Sequence, residues 1–477
     1  MGKDRNMHKL TTLAATIALL GGCAVGPDYQ AQIPDLPEQW PEHALLGPET
    51  SEWQSWWTRF DDPALNALVE RALDDNLNLQ VQIQRIEQAR AELGLSNANR
   101  WPSLNARADG AREQSSAAAT PPELVGGQTA NQFTVNGVLS YELDLWGRLA
   151  REREAAGAML AESVFGTEAV RLNLVTDVVT TYFNLRSAEQ QLAITRETLG
   201  TREETLALER IRHERGASDP LSIRQARAEL ESTRARLPEQ EQQRHELRSA
   251  LAMLVGYSPK EMLAELDFGD GELTDIELPD NVPGVLPSEL LQRRPDIRAA
   301  EQALIAANAK IGVARAQRFP SLNLQALGGS VALDSNNLFT APAEMWNVGA
   351  DLAGPLLDFG RSRSRIDSAE AQRAQAEAEY QLAITSGFRD ARDALVIYHS
   401  AERQVEAVRR QTDAIEEALS LAELQYQAGS IGFYEFLDAQ RGLLDAELAL
   451  SQAVSNRLAA TATLFKAMGG GWRSDPS

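Results

Sequence analysis

Read in steps of two, residues 132–145 separate cleanly. Phe133, Val135, Gly137, Leu139, Tyr141, Leu143 and Leu145 fall on one side, and Gln132, Thr134, Asn136, Val138, Ser140, Glu142 and Asp144 on the other. A period of two predicts a strand with one apolar and one polar face. Three other stretches behave alike: Leu104, Ala106 and Ala108 oppose Ser103, Asn105, Arg107 and Asp109; Leu322, Leu324 and Ala326 oppose Asn323 and Gln325; Trp346, Val348, Ala350 and Leu352 oppose Asn347, Gly349 and Asp351. Four strands follow, near 103–111, 132–145, 321–333 and 345–358.

Residues 147–213 and 360–427 carry no proline and only scattered glycines, so each predicts one continuous helix. At 1.5 Å per residue such a helix is about 100 Å long. Ile366, Ala369, Ala376, Tyr380, Ala383, Ala391, Leu395 and Tyr398 form a narrow seam suited to coiled-coil packing. Gly216 to Pro220 and Gly429 to Gly432 break the pattern and predict the tips of two long helical hairpins.

The two halves repeat. Arg100, Trp101, Pro102, Ser103, Leu104 and Asn105 recur as Arg318, Phe319, Pro320, Ser321, Leu322 and Asn323, a shift of 318 − 100 = 218. Gly216 pairs with Gly429 and Gly256 with Gly469, a shift of 213, so the first copy carries about five extra residues in its inter-strand loop. An aromatic stands at each strand–helix junction, Trp101 and Phe319 before proline, Trp146 and Phe359 before or beside glycine. Aromatics at those positions are what a membrane interface selects in a barrel. The Ser/Ala/Pro/Gly/Asn-rich segments 111–130 and 334–344 read as outward loops.

Composition sharpens the picture. Only 6% of the 477 residues are aromatic, and long stretches are built of Ala, Leu, Glu, Gln and Arg, which favours long helices over a globular enzyme. A net charge of −22 excludes binding to nucleic acid by phosphate neutralisation. Five scattered histidines form no zinc motif, and no phosphate-cradling loop or nucleophile elbow is present, so neither catalysis nor a metal site is expected.

The single cysteine, Cys23, follows a charged start (Lys3, Arg5, Lys9) and an apolar run over 10–20, and Leu20, Gly21, Gly22 and Cys23 match a lipobox. Residues 1–22 therefore read as a signal peptide, with covalent diacylglycerol and an N-acyl lipid expected on Cys23 and no other cofactor. Ala24 rather than Asp follows the cysteine, which by resemblance to bacterial lipoproteins implies the outer membrane of a Gram-negative cell.

Four strands cannot close a barrel in lipid, because an open edge leaves backbone groups unpaired at several kcal/mol each. Two chains would give eight strands and three would give twelve. An eight-stranded barrel is filled by its own side chains, so a conducting pore favours three or more.

Cys23 to Tyr29, then Trp56, Trp57, Phe60, Asp62, Pro63 and Leu65, and above all 286–316 (LPSELLQRRPDIRAAEQALIAANAKIGVARA) resemble the TolC-like outer-membrane factors in their lipoprotein branch, over nearly the whole mature chain. The resemblance implies a mainly α fold with membrane β: a homotrimer sharing one twelve-stranded outer-membrane barrel above a periplasmic α-barrel. It implies docking to a periplasmic adaptor and an inner-membrane pump of the resistance-nodulation-division type, and export of drugs, toxic small molecules or metal ions. The chain then divides into a lipid-anchored segment 23–61, a first repeat 62–256, an inter-repeat segment 257–286, a second repeat 287–469 and a tail 470–477, with a belt formed by 24–60, 257–286 and 470–477. The family's periplasmic gate maps onto Tyr434, Glu435, Asp438 and Arg441 at the second tip. There Glu435 and Asp438 supply acidic rings whose crowding raises some of their pKa values, Tyr434 an apolar ring, and Arg441 a restraint on the closed state. Ser222 at the first tip stands where some relatives carry Asp. A duct for secreted proteins and a non-conducting structural lipoprotein are the alternatives; the second leaves the amphipathic strands unexplained.

Overall fold

The structure, a computed structural model, describes residues 25–30, 37, 55–114, 116, 118, 129–264, 266–269, 271, 273, 276 and 287–470. The signal peptide, Cys23, the tail 471–477, most of the inter-strand loop 111–130 and much of the proposed belt lie outside them. In chain order come a 3-10 turn Trp56–Phe60, α1 (Pro63–Asp75), α2 (Leu77–Ala98), β1 (Ser103–Gln114), β2 (Thr129–Leu143), α3 (Arg148–Glu214), α4 (Pro220–Val255), the single turn α5 (Pro259–Met262), α6 (Pro287–Arg293), α7 (Pro295–Ala316), β3 (Ser321–Ala332), β4 (Glu344–Ala353), α8 (Arg361–Gln427) and α9 (Phe433–Ala467). Helices α3 and α8 each run for 67 residues. The chain divides into two compact units.

The first unit comprises Met1–Ile33, Arg85–Val164 and Ala299–Gln381 and holds one antiparallel sheet in the order β1-β2-β3-β4. Register explains its two faces. Leu104 pairs with Leu139, Leu139 with Ala326 and Ala326 with Val348, while Ser103 pairs with Ser140, Ser140 with Gln325 and Gln325 with Gly349. Cross-strand partners point the same way, so each strand's alternation adds up to one apolar and one polar sheet face. Val138 opposite Leu327 is an apolar spot on the polar face. The apolar face is uncovered: Leu104 is 74% exposed, Trp346 79% and Val348 72%. Strands β1 and β4 are the two edges.

Two strands stop short of the sequence expectation at the ends that lead into the helices. The fourth strand stops at Ala353 rather than near 358, because Ala353 pairs with Ser321, the first residue of β3, and Pro320 before it has no N–H to extend the ladder. The second stops at Leu143 rather than 145. Asp144 leaves the polar face to cap α3, its carboxylate accepting the N–H groups of Leu149 (3.1 Å) and Ala150 (2.8 Å). At their other ends β1 and β2 extend to Gln114 and Thr129, which pair with each other.

Residues 25–29 form a strap along this unit. The Val25 N–H donates to the Trp146 carbonyl (3.1 Å), Asn308 donates to the Pro27 carbonyl (2.9 Å), and Asp28 pairs with the buried Arg151 (2.6 Å).

The second unit, Pro34–Gln84, Phe165–Arg298 and Leu382–Ser477, carries the main core. On α3, Leu174, Val175, Val178, Val179, Tyr182 and Leu185 recur at helical spacing and are buried. Trp56 stacks on Phe465 (5.3 Å) and Phe60 meets Phe183 edge-on (4.9 Å), so the family-like Trp-Trp and Phe of the N-terminal segment are core anchors. Asp62 caps α1 by accepting from Ala64 and Leu65, and Tyr182 donates to its second oxygen (2.6 Å). Pro295 opens α7, where its missing N–H costs nothing, and the neighbouring Arg294 is buried, bound to Asp296 and donating to the carbonyls of Gly387 and Ala467. No helix among the described residues is long and apolar enough to cross a membrane.

Gly256 closes α4 with φ +86, and a Cβ there would lie 2.6 Å from the Asp75 carbonyl oxygen; Gly216 has φ +72 with open space around it. Gly216→Ala is expected to cost about 1–2 kcal/mol from the left-handed backbone alone. Gly256→Ala adds a backbone clash and is expected to lower the thermal midpoint distinctly further, which thermal unfolding of the two purified variants measures.

Candidate functional site

Both hairpins turn in the same way. After α3 the Ala217 N–H donates to the Arg212 carbonyl (2.8 Å), and after α8 the Ser430 N–H donates to the Gln425 carbonyl (2.9 Å), with Gly216 and Gly429 both at φ +72. This is the Schellman ending, which needs a residue tolerant of the left-handed region at the turn. The first hairpin restarts on Asp219, whose carboxylate accepts from both the N–H (2.8 Å) and the hydroxyl (3.0 Å) of Ser222. Those bonds hold the Asp219 carboxyl below its usual range, and they engage Ser222 in capping. The second restarts on Gly432 without a side-chain cap, and Glu435 sits in the first turn of α9.

Beneath the tips lies an apolar cluster of Leu206, Ala226, Leu230, Phe433, Phe436 and Leu437, which packs α3 and α4 against α9. Its positions on α9 leave Tyr434, Glu435, Asp438 and Arg441 on the other face. Tyr434 is 56% exposed, Glu435 and Asp438 are exposed, and Arg441 is half-buried. The structure therefore gathers the four predicted gate residues on one surface of one helix.

Arg441 does not reach Asp438. Its Nε donates to Glu229 on α4 (2.6 Å), and the other Glu229 oxygen pairs with Arg202 of α3 (2.7 Å). Arg202 also donates to Thr233 and to the Glu229 carbonyl. Burial pulls the Arg202 guanidinium down, whereas the bond to Glu229 pushes Arg441 up. A second link joins the hairpins: the Tyr426 hydroxyl donates to the buried Glu209 (2.5 Å), Ser218 donates to the other oxygen (2.7 Å), and the Arg212 guanidinium lies 4.6 Å from the Tyr426 ring centre. Burial, then the bond to Glu209, pushes the Tyr426 hydroxyl up to about 12.

Sequence reasoning missed Arg202, Glu209, Glu229 and Tyr426. A signal was there: Leu199, Arg202, Leu206 and Glu209 are spaced three, four and three, and Glu229 lies between Ala226 and Thr233 at similar spacing, so charged residues occupy an apolar stripe.

The four junction aromatics do not behave alike. Trp146 is half-buried, stacks on Phe319 (4.5 Å) and donates its indole N–H to the Pro320 carbonyl (2.8 Å). Trp101 is 74% and Phe359 92% exposed, the latter with φ 51. Cys23 lies outside the described residues. Among those residues no three acidic, His or Cys side chains gather as a metal site.

Removing Glu229 leaves Arg202 buried and unpaired, so Glu229→Ala is expected to cost about 3 kcal/mol or more. Arg441 is 41% exposed at its side chain, so solvent screens its share, and Arg441→Ala is expected to cost about 1 kcal/mol. Denaturant unfolding of the two variants measures the ratio.

The outer membrane efflux protein family model matches residues 68–257 and 286–470. The probable outer membrane lipoprotein SilC of Salmonella typhimurium is 33% identical over 472 residues, covering 98% of this chain and 100% of its own length. The antibiotic efflux pump outer membrane protein ArpC of Pseudomonas putida is 32% identical over 469 residues, 97% of this chain and 96% of its own. The crystal structure of the open state of the MtrE outer membrane channel of Neisseria gonorrhoeae superposes with a TM-score of 0.83 at 31% identity, covering 95% of this chain and 99% of that one.

Proposed function

The chain belongs to the outer membrane efflux protein family and is an outer-membrane efflux channel; from that premise we propose that three copies build the channel and that the second hairpin tip gates it. In this reading the apolar face of each four-stranded sheet meets lipid and the polar face lines the lumen. The observation that carries it is a sheet with an uncovered apolar face and two free edges, joined to helices of 67 residues. Strands alternate in direction along the sheet, so β4 of one copy meets β1 of the next antiparallel, and three sheets close a ring of twelve strands with no edge left in lipid. The family model's two matched blocks, and the recurrence of helix, two strands, long helix, helix, support the internal duplication with repeats at 62–256 and 287–469.

Glu435 and Asp438 from three chains converge as acidic rings at the periplasmic mouth, with Tyr434 beside them. Like charges in a ring attract cations and exclude anions. Two links hold the second hairpin against the first, Arg441 to Glu229 and Tyr426 to Glu209. Breaking them frees α8 and α9 to move outward while α3 and α4 stay. The open entrance receives substrate from a periplasmic adaptor and an inner-membrane pump of the resistance-nodulation-division type; drugs, other toxic small molecules and metal ions are the cargo classes. Lipidated Cys23 adds an anchor, in keeping with the lipoprotein name of SilC. The protein carries no catalytic role in this scheme.

In planar bilayers, Asp438→Ala combined with Arg441→Ala is expected to raise single-channel conductance; unchanged conductance contradicts the gate assignment. In cells fed labelled palmitate, Cys23→Ser is expected to abolish incorporation, and label retained on that variant contradicts the anchor.

A further inference from the structure

A cavity of about 680 Å³ opens in the first unit, where α7 passes into β3 and β4 passes into α8. Its walls combine three arginines, Arg315, Arg318 and Arg363, with three carboxylates, Asp358, Asp367 and Glu370, over an apolar floor that includes Phe319 and Ile366. Most of these charges are already engaged. Arg315 pairs with Glu370 (2.8 Å), and Asp358 caps α8 by accepting from the N–H groups of Gly360 and Ser362. Arg363 and Asp367 stand 3.9 Å apart, beyond hydrogen-bond distance, and among the described residues no hydrogen bond or ion pair engages the exposed Arg318 side chain. The rim is bare hydrocarbon: Leu356 is fully exposed, Leu357 is 76% exposed and Phe359 92%.

We propose that this cavity binds the headgroup of a membrane phospholipid that carries both a phosphate and a primary ammonium, with Arg318 and Arg363 on the phosphate and Asp367 on the ammonium. The proposal rests on the reading that the adjoining sheet crosses the outer membrane, which places the cavity at the lipid headgroups. Arginine forks match phosphate oxygens, and the bare leucines and Phe359 suit the glycerol and first methylenes of a seated lipid. The balance of charge selects the headgroup. With Glu370 paired to Arg315 and Asp358 engaged as a helix cap, Arg318 and Arg363 are left to face a phosphate and Asp367 to face an N–H donor, which a quaternary ammonium lacks.

Native mass spectrometry of the full-length protein, titrated separately with phosphatidylethanolamine, phosphatidylglycerol and phosphatidylcholine, tests this. Phosphatidylethanolamine adducts are expected to dominate, and Arg318→Ala and Asp367→Asn are each expected to weaken them about tenfold, as the loss of one charged hydrogen bond implies. Wild-type occupancy in both variants, or equal binding of phosphatidylglycerol to the wild type, overturns the assignment. Displacement by chain-free glycerophosphoethanolamine at the same concentration overturns the membrane lipid as its source. Both variants are expected to fractionate with the outer membrane; a wild type that does not would instead overturn the reading of the sheet.

Discussion

Backbone hydrogen bonding at two sheet edges is the constraint on which the rest depends. Strands β1 and β4 each present a row of N–H and C=O groups that no other described strand takes up. In water such an edge invites aggregation; in lipid it is prohibitive, because each unpaired group costs several kcal/mol. One chain cannot satisfy both edges, whereas a ring of chains satisfies all of them at once. The same requirement fixes the sidedness of every strand, since a one-residue slip of β2 alone would turn Phe133, Val135, Leu139, Tyr141 and Leu143 onto the polar face together.

The hairpin tips of the second unit, in their proposed role, face the opposite problem, for a gate must hold and still release. Its apolar cluster packs α9 against α3 and α4. Its polar links differ in how deeply they are buried. Arg202 and Glu229 are almost enclosed, with side-chain exposures of 4% and 10%, so their pair is permanent framework. Arg441 reaches the same carboxylate from a side that solvent enters, at 41% exposure, so its bond is cheap to break. A buried anion already balanced by one arginine can lose the other without becoming an orphan. In the proposed gate, that asymmetry would let the second hairpin leave while the first keeps its structure.

Much of this was legible in the sequence because the signals are local. Alternation over ten residues announces a strand whatever lies beside it, and sixty residues without proline announce a long helix. The glycines of both tips are likewise read from their neighbours. What was not legible depends on partners far along the chain. The fourth strand ends at Ala353 because β3 starts at Ser321, a partner 32 positions away, although Gly354 and Pro355 mark a break there. Asp144 looked like one more polar strand residue until the start of α3 claimed its carboxylate. Arg441 was visible as a tip residue, but its partner Glu229 lies 212 positions away, and only folding brings them together. Charged residues on an apolar stripe were the trace these pairs left.

The most direct test of the central claim is the mass of the detergent-extracted particle, measured by light scattering with the detergent contribution subtracted. The account predicts a protein mass close to three chains, each about 52.2 kDa before any processing. A stable particle with the mass of one chain would mean that the sheet edges are satisfied some other way, and would contradict it.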